Sequence, residues 1–246
     1  MNNIFQTTIL GLFFGTFGTT LGGIIGVCFK NTSNKFISFI LSFASGLMMS
    51  IICFDLIPEA LEITNVLSVI IVVVIGVTAM IFCNLLVQKN FKYNSVTTKN
   101  DSLLKTGIIV SIGLALHNFP EGLAIGSGFE ASITLGLSIA IAICLHDVPE
   151  GISMAVPMKN GGMRMPKVLL LVILSGITTG IGAFLGAIVG SISKQIISIC
   201  LSFAAGAMLY IVSGELIPES NRLYNGKLSS LGNMIGFIIG ILATTI

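Results

Sequence analysis

Two short polar stretches interrupt the apolar sequence of this 246-residue chain, His117-Asn118-Phe119-Pro120-Glu121-Gly122 and His146-Asp147-Val148-Pro149-Glu150-Gly151. They write one pattern twice, 29 positions apart, and they contain both of the chain's histidines. Residues four apart project from one face of a helix, so His117 points with Glu121 and His146 with Glu150, while Asn118 and Asp147 lie one step around. Two imidazoles, three carboxylates and an amide are a donor set suited to zinc and other first-row divalent metals, whereas sites made of oxygen alone suit magnesium or calcium. A divalent cation would offset the mutual repulsion of clustered acids, and its entry would release protons. Pro120 and Pro149 lack an amide hydrogen, which should free the carbonyls of Leu116 and Leu145 and kink both helices. Such carbonyls are tolerated in a membrane only where they face a polar cavity or protein interior.

The elements that carry these residues are set by composition. Apolar residues make up 54% of the chain, charged residues 9%, and the mean hydropathy is +1.03. These values exclude an ordinary soluble domain and give no footing for a nucleic-acid binder. The expected fold class is all-α, a polytopic membrane protein of eight transmembrane helices, each about 20 mostly apolar residues long. The spans fall at about 5–28, 36–57, 65–87, 105–127, 132–156, 168–190, 195–217 and 229–246, within one integral-membrane domain over 1–246. Segments four and five place the paired motifs near the middle of the bilayer, where an ionisable side chain costs about 2.5–3.5 kcal/mol or more and so marks a site or pathway. Residues 1–8 hold no Lys or Arg, so the first apolar run is expected to be a retained helix and not a cleaved leader. The five cysteines are odd in number and scattered through apolar runs, which fits helix packing and not a disulfide framework.

Eleven of the twelve basic residues fall in odd-numbered loops, from Lys30 and Lys35 to Arg222 and Lys227; only Lys194 falls in an even one. The positive-inside rule then places odd loops in the cytoplasm and both termini outside, in a cell-membrane protein. An odd number of spans would destroy this asymmetry. The third loop, about 88–105, is polar and without apolar periodicity, and is expected to be a cytoplasmic linker. The fifth, around Lys159-Asn160-Gly161-Gly162, reads as a turn.

Segments two and seven repeat one another. Eleven of the twenty residues from Leu41 to Ala60 are identical to those 160 positions later, and the segments end in Asp55-Leu56-Ile57-Pro58-Glu59 and Glu215-Leu216-Ile217-Pro218-Glu219. Segment one, rich in glycine that allows close helix approach, is echoed in segment six by Leu21-Gly22-Gly23-Ile24-Ile25-Gly26 against Leu185-Gly186-Ala187-Ile188-Val189-Gly190. The chain therefore reads as two three-helix repeats of opposite topology around a central pair, the plan of many secondary transporters. Asp55 and Glu215 would guide a cation or simply cap helix ends; Glu59 and Glu219 fit the solvated-charge role better. For the paired motifs, three further readings remain: interhelical hydrogen bonding, a proton-coupled carrier of another solute with His and Glu as relay, and an intramembrane metal-dependent hydrolase, which fits least because no His-Glu-x-x-His is present.

The paired motifs resemble the fourth- and fifth-helix signatures of the ZIP (Zrt/Irt-like) metal transporters, bacterial type, and the likeness extends through the eight spans and the inverted repeat. The resemblance implies a transporter and not an enzyme, with no cofactor, that carries zinc, or iron, manganese, cobalt or cadmium, into the cytoplasm by alternating access. It implies a first metal site of His117, Glu121 and Glu150, and a second that adds Asn118 and Asp147 while sharing both glutamates. His146 fills a position that is often His in the family, and Met48 matches a methionine that contributes in some relatives, although packing is the default role of such a residue. The implied partners are divalent metal ions and the lipid bilayer; a homodimer is compatible with the reading. A bundle of helices one, four, five and six would move against two, three, seven and eight. Two features depart from the family. Thr179 stands where many bacterial relatives carry a sixth-helix glutamate, which weakens the second site, and the third loop has no histidine.

Overall fold

The computed structural model describes residues 4–28, 33–90, 99–224 and 226–244, and these form eight helices with no strand among them. In chain order they are α1 (Ile4–Cys28), α2 (Asn34–Ile63), α3 (Val66–Asn90), α4 (Lys99–Ala131), α5 (Ile133–Asn160), α6 (Met165–Gly190), α7 (Lys194–Leu223) and α8 (Lys227–Thr244). Six of them, α1, α2, α3, α5, α6 and α7, are long and apolar enough to cross a membrane, and α8 adds a shorter apolar helix. The chain is an all-α, multi-pass membrane protein.

The connections follow local chemistry. Ser33, Ser132 and Ser193 cap α2, α5 and α7, each hydroxyl accepting from the backbone N–H three residues on. Between α5 and α6, Gly162 takes a φ of 90°, which a residue without Cβ adopts freely, and the N–H of Met163 returns to the carbonyl of Met158 at 3.1 Å. The expected linker is shorter than its polar composition implies. Residues 88–90 continue α3 and Lys99–Thr106 open α4 as helix, leaving 91–98 outside the described residues.

Segments two and seven do not end at their prolines, as the sequence pattern had implied. Each loosens into a π turn, Ile52–Leu56 and Val212–Leu216, where the N–H of Ile57 bonds the carbonyl of Ile52 and that of Ile217 bonds Val212. The wider turn accommodates Pro58 and Pro218, which lack an amide hydrogen and would crowd an α-helical carbonyl, so the helices run on to Ile63 and Leu223.

The internal repeat is visible in the packing. Helix α4 packs along α6 as α5 packs along α1, α2 along α8 as α7 along α3, and α4 touches α7 as α5 touches α2. Close approaches fix the register. A methyl carbon on Gly22 would fall 2.0 Å from the carbonyl oxygen of Val148, and one on Gly182 would fall 2.2 Å from that of Phe119. Likewise Gly76 meets the carbonyl of Phe203 and Gly236 that of Phe43. Gly22 with Gly182, Gly76 with Gly236 and Phe43 with Phe203 are each separated by 160, so one offset runs through all three helices of the repeat. The Leu21-to-Leu185 match at 164 was therefore one helical turn out of register, drawn off by a local run of small residues. In the correct register Thr19 is the counterpart of Thr179.

Two groups of helices emerge: α1, α4, α5 and α6 on one side, and α2, α3, α7 and α8 on the other. The larger apolar core joins them. It takes Met48, Ile51, Leu201 and Met208 from the second group and Ala124, Ile125, Phe129, Ile139 and Ile143 from the first. A smaller core, built on Val27, Leu114, Met154, Met158, Val168 and Val172, holds residues of the first group alone among those described.

Candidate metal centre

The motif side chains meet where α4 crosses α5, and all six are buried, His117 at 2% exposure and the others at zero. Each histidine reaches the glutamate of the other copy. His117 Nε2 lies 3.0 Å from Glu150 Oε2, and His146 Nε2 lies 3.0 Å from Glu121 Oε1. This crossed arrangement follows from the repeat, which relates the two helices to one another and places each i, i+4 pair opposite its copy.

Beyond that the copies differ. His146 Nδ1 sits 3.1 Å from the carbonyl of Ala142, an acceptor only, so Nδ1 carries a hydrogen and Nε2 is the nitrogen turned toward Glu121. Such an outer hydrogen bond orients a ligating imidazole. Among the described residues, His117 Nδ1 has no hydrogen-bond partner. Asn118 donates from Nδ2 to the carbonyl of Ser175 at 3.1 Å and to its hydroxyl at 3.3 Å, which ties the amide to α6. Its counterpart Asp147 accepts no hydrogen bond at either oxygen among the described residues, although Oδ1 lies 3.5 Å from His146 Nε2. In register, Ser175 corresponds to Gly15 on α1, so the second copy has no hydroxyl to offer.

Ligand atoms of Glu121, His146, Asp147 and Glu150 all lie within 4.8 Å of one another. A tetrahedral zinc with bonds of about 2.0–2.2 Å spaces its ligand atoms by about 3.4 Å, so small side-chain rotations would close this group on one ion. Glu121 Oε2 and Glu150 Oε1 also lack hydrogen-bond partners among the described residues. Buried carboxylate oxygens without donors are costly, and a divalent cation is the species that satisfies several together. His117 joins the group through Glu150. Met48 is fully buried in the shared apolar core. Thr179 is also fully buried, with Oγ1 unpartnered, in the junction of α1, α4 and α6. A methyl carbon on Gly15 would fall 2.4 Å from its Cβ, and one on Gly122 would fall 1.9 Å from its carbonyl oxygen.

Two acids lie above and below the centre. Asp55, 7% exposed, accepts from Ser138 Oγ at 3.5 Å. Ser138 is two turns before His146 on α5, about 12 Å along the axis. Glu215 accepts from Asn84 Nδ2 at 2.8 Å, and the same nitrogen lies 3.0 Å from the Tyr210 hydroxyl oxygen. Its other oxygen would be 3.9 Å from a methyl carbon on Gly113, one turn before His117 and about 6 Å along α4. Glu219 forms an exposed ion pair with Arg222 at 2.6 Å, the solvated-charge role. Sequence reasoning missed Asn84, Ser138, Ser175 and Tyr210; a lone amide within Met80-Ile81-Phe82-Cys83-Asn84-Leu85-Leu86 was the available signal for the first.

Fold and centre together define a multi-pass helical membrane protein with a His/carboxylate cluster buried between its two central helices. A family model described as "ZIP Zinc transporter" matches residues 93–245, more than half of the chain, and the chain belongs to that family. It is similar to "Zinc transporter ZIP11" of Homo sapiens, 34% identical over 138 residues covering 53% of this chain and 40% of that protein. It is also similar to "Zinc transporter GufA" of Myxococcus xanthus, 36% identical over 137 residues covering 55% and 54%. The chain thus spans about half the length of these relatives. With "Zinc transporter ZupT" of Clostridium perfringens it shares 29% identity over 271 aligned positions covering 97% of this chain and 95% of that protein.

Proposed function

We propose that the protein carries divalent transition-metal cations, zinc foremost, across the cell membrane into the cytoplasm. The cation binds between α4 and α5 to Glu121, His146, Asp147 and Glu150, with His117 positioned by Glu150. The crossed His–Glu pairs with their unpartnered carboxylate oxygens are the observation that carries this reading. Relatives named as zinc transporters support the choice of metal. Asn118 serves as polar packing toward α6 and Thr179 as packing of α6 against α1 and α4, neither as a strong ligand, leaving one principal cation position; Met48 belongs to the apolar seal.

The distribution of basic residues supports both termini outside. On that topology the α4–α5 turn faces outward, Asp55 lies on the entry side and Glu215 on the cytoplasmic side. The shared apolar core closes the outer half, and Glu215, held by Asn84, stands one turn from the centre on the inner half. A cation leaving Glu150 would pass to Glu215 as the two helix groups shift.

Purified protein in liposomes containing a zinc-sensing dye tests this. Zinc influx is expected for the wild type and its loss for Glu121→Ala and His146→Ala. Zinc flux undiminished in both variants would refute the site assignment. Proton movement with no divalent-metal flux would replace the reading with a relay.

A further inference from the structure

A cavity of about 370 Å³ opens between α3 and the α4/α6 pair, outside the polar centre. Ala79 and Cys83 of α3, Phe119 and Pro120 of α4, Ile181 of α6 and Phe203 of α7 line it. Its volume lies within the roughly 300–1,000 Å³ of small-molecule pockets. The lining carries no charged side chain; its polar side chains are the Cys83 thiol and the hydroxyl of Thr178, which is already engaged with the carbonyl of Ser175 at 2.6 Å. A charged solute therefore finds no counter-charge there.

The position of the cavity identifies what does. Phe119 and Pro120 belong to the first motif, so the cavity sits at the level of the metal centre, as deep in the membrane-crossing part as the chain offers. Its lips continue into apolar surface on both sides: Ile75 at 53% and Phe82 at 61% exposure on α3, Leu174 at 49% and Ile181 at 50% on α6. Among the six described helices long and apolar enough to cross a membrane, α3 is the least buried, with 17% of its apolar window buried inside the protein. In a multi-pass protein that surface faces hydrocarbon, and the cavity is an inlet of it. A headgroup at the membrane surface cannot reach the middle of a layer about 30 Å thick, but a fatty chain does.

We propose that this inlet is a binding site for one acyl chain of a bilayer phospholipid, seated between the two helix groups at the depth of the metal centre. The chain fills space that side chains leave open between α3 and α4, and it moves aside or follows when the groups shift. Bulk lipid packs along the whole belt; the inlet holds a single chain inside the protein outline, against Phe119 and Phe203.

The chain has no tryptophan, so one introduced indole reports on one place. The test uses full-length Phe119→Trp protein in phosphatidylcholine bilayers with and without bromine at the middle of the acyl chains. Bromine quenches an indole on contact. Phe82→Trp on the exposed belt and Phe129→Trp, at a site 4% exposed inside the shared core, set the upper and lower limits. Quenching of Phe119→Trp close to that of Phe82→Trp is expected, and adding Cys83→Phe to fill the inlet should lower it to the Phe129→Trp level while leaving Phe82→Trp unchanged. Quenching no greater than that of Phe129→Trp overturns the proposal, as does quenching that Cys83→Phe does not reduce. Quenching that appears only when excess lipid separates the protein copies also overturns it, by making a second copy the occupant. Phe203→Trp repeats the measurement from the opposite wall, so a disturbance of the motif by the Phe119 substitution cannot decide the result. Fluorescence is read without any transport, so failure here and failure of the transport reading are separate events.

Discussion

The two halves of the molecule, above and below the crossing of α4 and α5, are built differently. Toward the α4–α5 turn, Ala124, Ile125, Ile139 and Ile143 interlock with Met48, Ile51, Leu201 and Met208 in one core that spans both helix groups. Toward the α5–α6 turn, Leu114, Met154, Met158 and Val172 pack within the first group, and the second group contributes nothing described to that core. The acids follow the same division. Asp55 of α2 bonds Ser138 of α5, a contact between groups, whereas Glu215 is held within its own group by Asn84 of α3. The centre is thus sealed by apolar packing on one side and neighboured by a pre-positioned carboxylate on the other. A repeat that is symmetric in backbone register has become asymmetric in side chains, and on the proposed topology that asymmetry would distinguish an entrance from an exit.

The largest effect is expected at the centre itself. Glu150→Ala removes a proposed ligand and the partner of His117, leaving a buried imidazole unpaired; zinc uptake into liposomes should fall about 100-fold or more, on the scale of ligand-network losses. His146→Ala should weaken equilibrium zinc binding more than His117→Ala, because only His146 lies within the group of four and has its tautomer set by a carbonyl. Equal losses in a dialysis competition would erase the distinction between the copies.

The two cores make the next contrast. Ile143→Ala in the shared core and Met154→Ala in the smaller one should each cost about 2–5 kcal/mol of thermal stability. Only the first should admit a thiol reagent to Ala140→Cys from the α4–α5 turn side. In a background without native cysteines, Gly113→Cys beside Glu215 should react about 10-fold faster than Ala140→Cys, since labelling follows local opening. The reverse order would place the seal on the wrong half.

Smaller effects complete the series. Asn84→Ala frees the Glu215 carboxylate, and the maximal transport rate should fall severalfold with zinc affinity unchanged. Arg222→Ala breaks an exposed ion pair and should move stability by less than about 0.5 kcal/mol with flux unaltered.

Much of this is legible in the sequence. The motif spacing alone put six polar side chains on adjacent helices, because i, i+4 geometry is local. Helix existence followed from apolar length, and the α2/α7 repeat from identity at a fixed offset. What escaped had non-local causes. The prolines after Asp55 and Glu215 read as helix ends, but a π turn absorbs each, and only the hydrogen-bond pattern reveals that. The α1/α6 register was one turn off because small residues match small residues at several offsets, while the approach of Gly22 to Val148 and of Gly182 to Phe119 decides it. His146 has its partner Ala142 one turn earlier on its own helix, whereas Asn118 is tied to Ser175 of α6, a partner in another helix that no motif announces.

The central claim is that a cation sits among Glu121, His146, Asp147 and Glu150. X-ray absorption at the zinc edge of purified, zinc-loaded protein tests it directly. The account predicts a first shell of nitrogen and oxygen at about 2.0–2.2 Å with an imidazole signature, lost together in Glu121→Gln/His146→Gln; a sulfur shell near 2.3 Å, or an unchanged spectrum in that double variant, would contradict it.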